Sequence, residues 1–296
     1  MYVEISERVG FVPGGTNVGI IRHEDGRVTL IDSGLNDTTA RKVLRVVRDD
    51  LKAEVVSIVN THGHADHFGA NAFVHKRTGC EVWAPPVEAS VIANPLLQPA
   101  MLFGGADPME ALRNKFLLAE PCPVTGEIPL GSWTHFGTEL TIVPLGGHAP
   151  NQVGIAIDGA FFCADVVFPE TAIEKYRIPY LFGLTEHLAS LEAAGSVPTK
   201  RVIPGHGEAP ESIEALVALN RAAIERTIDG LLSVLDRPRT GDEVAGAVFL
   251  LLDVPVTDAQ SYFLLRPTIS AYLAHLERTG AITSHVADGR FLWARA

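Results

Sequence analysis

The sequence predicts an α/β layered fold, in which strands and helices are mixed over residues 1–210 and a smaller helical region, 211–296, is appended. Three observations predict it. In the first part, short runs rich in valine and isoleucine alternate with segments of helical periodicity, the pattern of sheets covered by helices. The stretch 85–131 loses that pattern under prolines at 85, 86, 95, 99, 108, 121, 123 and 129, and reads as an insertion over one face. After Pro210 helical spacing dominates almost to the last residue.

In order along the chain, residues 3–12, 18–23 and 27–32 read as strands separated by glycine-containing turns. Val43, Val46, Val47 and Leu51 give 38–51 the spacing of a helix. Residues 54–60 form a short valine- and isoleucine-rich buried strand, 67–78 a helix stopped by Gly79, and 81–84 a further strand. Inside the insertion only 108–118 reads as a helix. Strands resume at 139–144, 152–157 and 160–164, followed by a helix over 184–194 and a strand over 201–203. Beyond it, 212–235 is a long amphipathic helix, and 240–252, 257–263 and 267–278 are three short ones. Residues 281–286 and 290–294 form a hairpin turning at Ala287-Asp288-Gly289.

Composition narrows the function. The chain has 296 residues, 47% hydrophobic and 20% charged, as expected of a globular protein without a run long enough to span a membrane. The N-terminal Met1-Tyr2-Val3-Glu4-Ile5 lacks the basic and apolar regions of a signal peptide, so cytoplasmic residence is expected. A net charge of −11 repels polyphosphates, which argues against nucleic-acid partners. Cys80, Cys122 and Cys163 are odd in number and far apart, which argues against a disulfide framework or a Cys-x-x-Cys metal pair.

The run Thr61-His62-Gly63-His64-Ala65-Asp66-His67 follows the strand that ends at Asn60. Three imidazoles and a carboxylate this close suit zinc, iron(II) or manganese. No single cation needs all four, so the loop can divide them between two neighbouring ions. Completing the sites requires distant groups at strand-to-loop junctions: His148 after Val143-Pro144-Leu145-Gly146-Gly147, Asp165 after Phe161-Phe162-Cys163-Ala164, and His206 within Pro204-Gly205-His206-Gly207.

That run, with His148, Asp165 and His206 in the same order and context, resembles the metallo-β-lactamase-like hydrolase superfamily over residues 1–210. The resemblance implies an αββα sandwich with metals at one edge. It implies two ions, zinc first, with iron(II) or manganese as the other candidates. His62, His64 and His148 would bind one, Asp66, His67 and His206 the other, and Asp165 would bridge them. Ile31-Asp32-Ser33-Gly34 also resembles a family motif, in which Asp32 would accept the N–H of a metal-bound imidazole. Around the fourth histidine, Gly147-His148-Ala149-Pro150-Asn151 departs from the family's usual Gly-His-Thr-Pro-Gly and points to a subfamily. The C-terminal region resembles the winged-helix appendage of some members. Its recognition-helix equivalent has no Lys or Arg between Arg266 and Arg278, so a wall of the active site or a homodimer contact is expected there instead of DNA binding.

The implied reaction is hydrolysis by a metal-activated hydroxide that Asp66 would also orient. No Gly-x-Ser-x-Gly elbow is present. The expected substrate is a small-molecule ester or thioester, as in the glyoxalase II-like branch. Lactone, β-lactam and phosphodiester or RNA hydrolysis are alternatives, and an iron-dependent persulfide dioxygenase is the alternative from another reaction class. Leu96, Leu97, Met101, Leu102, Phe103, Phe116, Phe168 and Phe182 are candidates for an apolar pocket. Tyr176 or Tyr180 would donate to an oxyanion, and Arg113, Lys115, Lys175 or Arg177 would hold a substrate carboxylate.

Overall fold

Runs of β-branched residues buried on both faces build two sheets in the computed structural model, which describes residues 2–296; Met1, the start of the N-terminal segment read above, lies outside them. The first sheet joins β1 (Val3–Glu4), β2 (Val9–Val12), β3 (Val18–Arg22), β4 (Val28–Ile31), β5 (Val55–Val59), β6 (Glu81–Ala84) and β7 (Gly126–Glu127) in that order. It is antiparallel up to β4 and parallel from there. The second sheet uses β8 (Gly131–His135), β9 (Thr138–Pro144), β10 (Val153–Ile157), β11 (Ala160–Ala164) and β12 (Arg201–Pro204), with β12 parallel to β11 and every other pair antiparallel. Ile21, Ile31 and Val59 meet Ile142, Ile155 and Phe162 between the sheets.

The helices are α1 (Asp37–Arg45), α2 (Ala65–Phe68), α3 (Asn71–Thr78), α4 (Pro86–Ala93), α5 (Leu97–Leu102), α6 (Glu170–Tyr176), α7 (Leu184–Gly195), α8 (Glu214–Val234), α9 (Gly241–Leu251) and α10 (Ala259–Arg278). Val43 of α1 and Val74 of α3 pack on the outer face of the first sheet with Ile20 and Leu30. Leu191 of α7 and Ile224 of α8 pack on the second with Phe161 and Val202. The result is the expected αββα layering. The same buried cluster continues through Val248 of α9 and Tyr272 of α10, so the C-terminal helices share the apolar packing of the outer second-sheet face. A two-stranded hairpin, β13 (Ile282–Ala287) and β14 (Arg290–Arg295), closes the chain. Asp288 and Gly289 both have positive φ, which suits the two-residue turn that matches strand twist.

Several elements differ from the sequence reading. The single strand over 3–12 is two strands, β1 and β2, that pair with each other. The helix over 38–51 ends at Arg45 and continues as a π-helical turn, Val46–Asp50. The helix over 67–78 begins earlier, at Ala65, and breaks between α2 and α3. Gly69 lies at that break, where an added Cβ would sit 2.2 Å from the Leu35 carbonyl oxygen and 2.4 Å from that of Ala65. The helix expected over 108–118 is only a 3-10 turn, Glu110–Leu112. In contrast, 257–263 and 267–278 are one helix, α10, despite Pro267. Proline inside a helix costs about 3 kcal/mol. Burial of Leu265, Thr268, Ile269 and Tyr272, and a capping box from Asp258 and Ser261, offset that cost. Strand β8 and helices α4, α5 and α6 have no counterpart in the sequence reading, because proline spacing and short length hide their periodicity.

Candidate metal centre

The C-terminal ends of β4, β5, β11 and β12 and the turn between β9 and β10 meet at one edge of the sandwich, and each brings site residues. The turn after β5 contributes His62 and His64, and α2 contributes Asp66 and His67. His148 lies between β9 and β10, Asp165 follows β11 and His206 follows β12. Ala164 has φ of +49° directly before Asp165, and Asp32 has φ of +59° directly after β4. Non-glycine residues rarely adopt this left-handed conformation, and here it sits under the side chains of the centre.

All seven predicted ligands converge. His64 Nδ1 lies 3.1 Å from His62 Nε2 and 2.8 Å from His148 Nε2, so three imidazole nitrogens face one point. Asp66, His67 and His206 form a second group, with His206 Nε2 3.3 Å from Asp66 Oδ2. Asp165 touches both groups. Its Oδ2 is 3.5 Å from His148 Nε2 and 3.2 Å from His206 Nε2, and its Oδ1 is 3.4 Å from His67 Nε2. Gly205 is obligatory beside it, because a Cβ there would lie 2.0 Å from Asp165 Oδ1.

The far nitrogens of four of these rings are held by the protein, which turns the near ones toward the centre. His67 Nδ1 donates to Asp32 Oδ2 at 2.8 Å, His148 Nδ1 to the Tyr180 carbonyl at 3.1 Å, and His206 Nδ1 to the Gly15 carbonyl. His62 Nδ1 donates to Thr61 Oγ1 at 3.0 Å, and that hydroxyl donates to Asp32 Oδ2 at 2.8 Å. Asp32 therefore orients two imidazoles, one directly and one through Thr61. His67 Nε2 and Asp165 Oδ1 are buried without a hydrogen bond. Buried polar atoms are normally satisfied, so an orphan pair facing each other fits a ligand between them.

Electrostatics divides the seven. Burial lowers His64 to about 4, His148 to about 3 and His62 well below its ordinary value. Asp165 pushes His206 up to about 12. Burial alone would lower His67, but Asp165, Asp32 and Asp66 together raise it to about 10. Burial opposes ionisation of Asp66 and Asp165, yet the neighbouring His67 and His206 bring Asp66 down to about 2 and Asp165 well below the usual carboxylate range.

Of the two tyrosines, only Tyr180 is brought to the centre. Its ring lies edge-on to His64 and His148 with centroids 5.4 Å away. Burial, and then Glu88, raise its hydroxyl to about 12, so it keeps its proton at neutral pH. Tyr176 is a correction to the sequence reading: it is 44% exposed at the end of α6, where its hydroxyl accepts from Lys175 Nζ at 2.9 Å. The expected carboxylate clamp does not assemble either. Arg113 pairs with Asp107, Arg177 lies 3.9 Å from Asp253, and Lys115 covers the exposed Phe116. Among the apolar candidates, Phe168 packs against His148, and Leu102 and Phe103 cluster with Tyr180 and with Phe263 of α10. Leu96, Leu97, Met101, Phe116 and Phe182 are exposed.

Sequence reasoning missed the partners that act through backbone groups. Thr16 Oγ1 donates to the Asp66 carbonyl at 2.8 Å, and Asn17 Nδ2 donates to the carbonyls of Pro204 and Gly207 at 2.9 Å, steadying the His206 loop. The turn residues Gly14-Gly15-Thr16-Asn17 were the available signal. Glu88 was also missed; its signal is a lone charged residue in the run Val87-Glu88-Ala89-Ser90-Val91-Ile92.

The family model described as "Metallo-beta-lactamase superfamily" matches residues 11–206. Solved structures share the fold. A metallo-beta-lactamase family protein from Thermus thermophilus superposes with a TM-score of 0.73 at 19% identity, covering 97% of this chain and 98% of its own. A beta-lactamase domain protein from Burkholderia ambifaria gives 0.74 at 18% identity over 100% of this chain and 93% of its own. A metallo-beta-lactamase from Cronobacter sakazakii gives 0.58 at 19% identity over 77% of this chain and 98% of its own. The first two likenesses extend across the C-terminal helices as well as the sandwich. No helix among the described residues is long and apolar enough to cross a membrane.

Proposed function

The chain belongs to the metallo-beta-lactamase superfamily, and from that membership and the geometry of its site we propose that it is a metal-dependent hydrolase of small esters or thioesters, working with two divalent ions, zinc first. One observation carries the reading: Asp165 reaches both ligand groups, and its Oδ1 faces an orphaned His67 nitrogen. The donor set fits borderline divalent ions, with five imidazoles and two carboxylates and the outer ring nitrogens of His62, His67, His148 and His206 already engaged. His62, His64 and His148 would hold one ion, Asp66, His67 and His206 the other, with Asp165 between them. When bound, such ions supply an activated water nucleophile and polarise the substrate oxygen.

The chain's own residues do the rest. Asp66 accepts a proton and aligns the attacking oxygen. Tyr180 retains its hydroxyl proton and donates to the oxygen that gains charge as the carbonyl is attacked. Phe168 and the Leu102–Phe103 cluster exclude water and favour an apolar acyl group. The winged-helix-like tail acts as a wall: Thr268 of α10 accepts from the Leu181 N–H at 3.1 Å, and Phe263 packs on the same apolar cluster as Tyr180. The test is elemental analysis of protein purified without chelators, followed by turnover of thioesters, esters, lactones, β-lactams and phosphodiesters. About two equivalents of zinc and fastest turnover of a thioester or ester are expected. Absence of metal rejects the reading, and one iron with oxygen consumption moves the chain to the persulfide dioxygenase class.

A further inference from the structure

Helix α4 opens the insertion, and it brings a carboxylate beneath the three-imidazole group. Glu88 is 2% exposed. Its Oε2 accepts the Gly63 N–H at 2.8 Å and its Oε1 accepts the Asn151 N–H at 2.8 Å. Gly63 lies between His62 and His64, and Asn151 lies three residues after His148. One side chain therefore joins the two loops that carry the three imidazoles, although they are far apart in sequence. The fit around it is close. A Cβ on Gly63 would stand 3.0 Å from Glu88 Oε2 and 3.1 Å from Val91 Cβ. Asn151 returns a bond, its Oδ1 accepting the Val87 N–H at 3.2 Å.

Resting on the two-ion reading above, we propose that Glu88 is a positioning residue that clamps the His62–His64 turn to the His148 loop and so sets the geometry of the three-imidazole site. Burial pushes the Glu88 carboxyl up, and the two accepted N–H bonds oppose that by favouring the ionised form, to which hydrogen bonds are the stronger kind. A buried carboxylate one peptide away also favours a cation at the three-imidazole group. Glu88 thereby fixes the insertion to the centre, while Asn114, whose Nδ2 donates to Gln260 at 3.0 Å, ties it to α10.

Glu88→Gln keeps the size but offers one acceptor in place of two, and sets an NH2 against an N–H donor. Titration of metal-free protein with zinc against a chromophoric chelator, and with cobalt(II) to read ligand-field bands, separates the two sites. The expected result is one site weakened by about 10- to 100-fold and distorted cobalt bands, with the other site within about twofold of wild type. Ser90→Ala, at an exposed position of the same helix outside the clamp, leaves both affinities within about twofold. Equal affinities in Glu88→Gln and wild type overturn the proposal. So does equal weakening of both sites alongside a matching fall in the stability of the metal-free protein. If Glu88→Gln does not fold, amide exchange on the wild-type metal-free protein decides: slow exchange at Gly63 and Asn151 supports the clamp, and exchange of either at the rate of an open loop rejects it. Failure of the wild type to bind metal would instead count against the two-ion reading itself.

Discussion

Around His62, His64 and His148 burial strips protons from the imidazoles, whereas around His67 and His206 carboxylates hold protons on them. Both groups contain histidines on the same edge of the same sandwich, so the difference lies in their neighbours. Asp165 reaches both, but burial outweighs it in the first group, which otherwise faces ring edges and a backbone carbonyl, whereas Asp32 and Asp66 join it around the second. In the metal-free protein the imidazolium charges of the second group occupy the role a cation would fill. The first group is prepared as a set of lone pairs. Identical side chains are thus given two different starting states by the carboxylates around them.

Asp165→Asn should break this contrast most severely. It keeps the size and removes the charge that raises His206 and, with Asp32 and Asp66, His67. Two cations would then repel each other without compensation. Metal content should fall toward one equivalent and the catalytic rate by orders of magnitude. Elemental analysis and steady-state kinetics on this variant measure both; two retained ions with undiminished turnover would require the bridge to be reassigned.

A smaller effect is expected from the tyrosines. Tyr180 stands on the neutral group and Asp66 on the carboxylate group, which sets a donor opposite an acceptor. Tyr180→Phe should lower kcat by about 10²-fold with metal content unchanged. Tyr176→Phe should stay within about twofold of wild type, because its hydroxyl meets Lys175 at the surface. Equal losses in the two variants would remove Tyr180 from the reaction.

The gentlest test is calorimetric. At pH 7 His67 and His206 are protonated in the metal-free protein, with values of about 10 and about 12, while His64 and His148, at about 4 and about 3, are not. Zinc entering the carboxylate group must expel protons, on the order of one to two, and zinc entering the imidazole group none. Affinity should therefore rise with pH for the first and stay flat near neutrality for the second. Titrations in buffers of different ionisation heat read the proton count directly. Equal release from both sites would erase the distinction.

The candidate ligand positions were legible because metal chemistry constrains residue type and spacing together. Four ligands fall within six residues after a strand, and the other three each follow a strand or turn. The sheets were legible for a related reason, since β2, β3 and β4 are runs of buried residues that declare themselves by composition. Glu88, Thr16 and Asn17 were not, because they meet the site through backbone amides and carbonyls that any residue carries. The insertion stayed opaque because prolines interrupt its short helices. Pro267 misled in the opposite direction, since tertiary burial kept α10 continuous where local propensity predicted two helices.

The buried cluster shared by the second sheet and the C-terminal helices has a consequence for how the chain is made. Phe161, Cys163 and Val202 are synthesised long before Ile269 and Tyr272, with which they share that cluster. As the polypeptide is made, α7 and α8 cover β11 and β12 first, and their own outer faces keep apolar surface exposed until α9 and α10 arrive. Until α10 docks, that surface is open to aggregation, so the same helix that walls the site also completes the cover of the core.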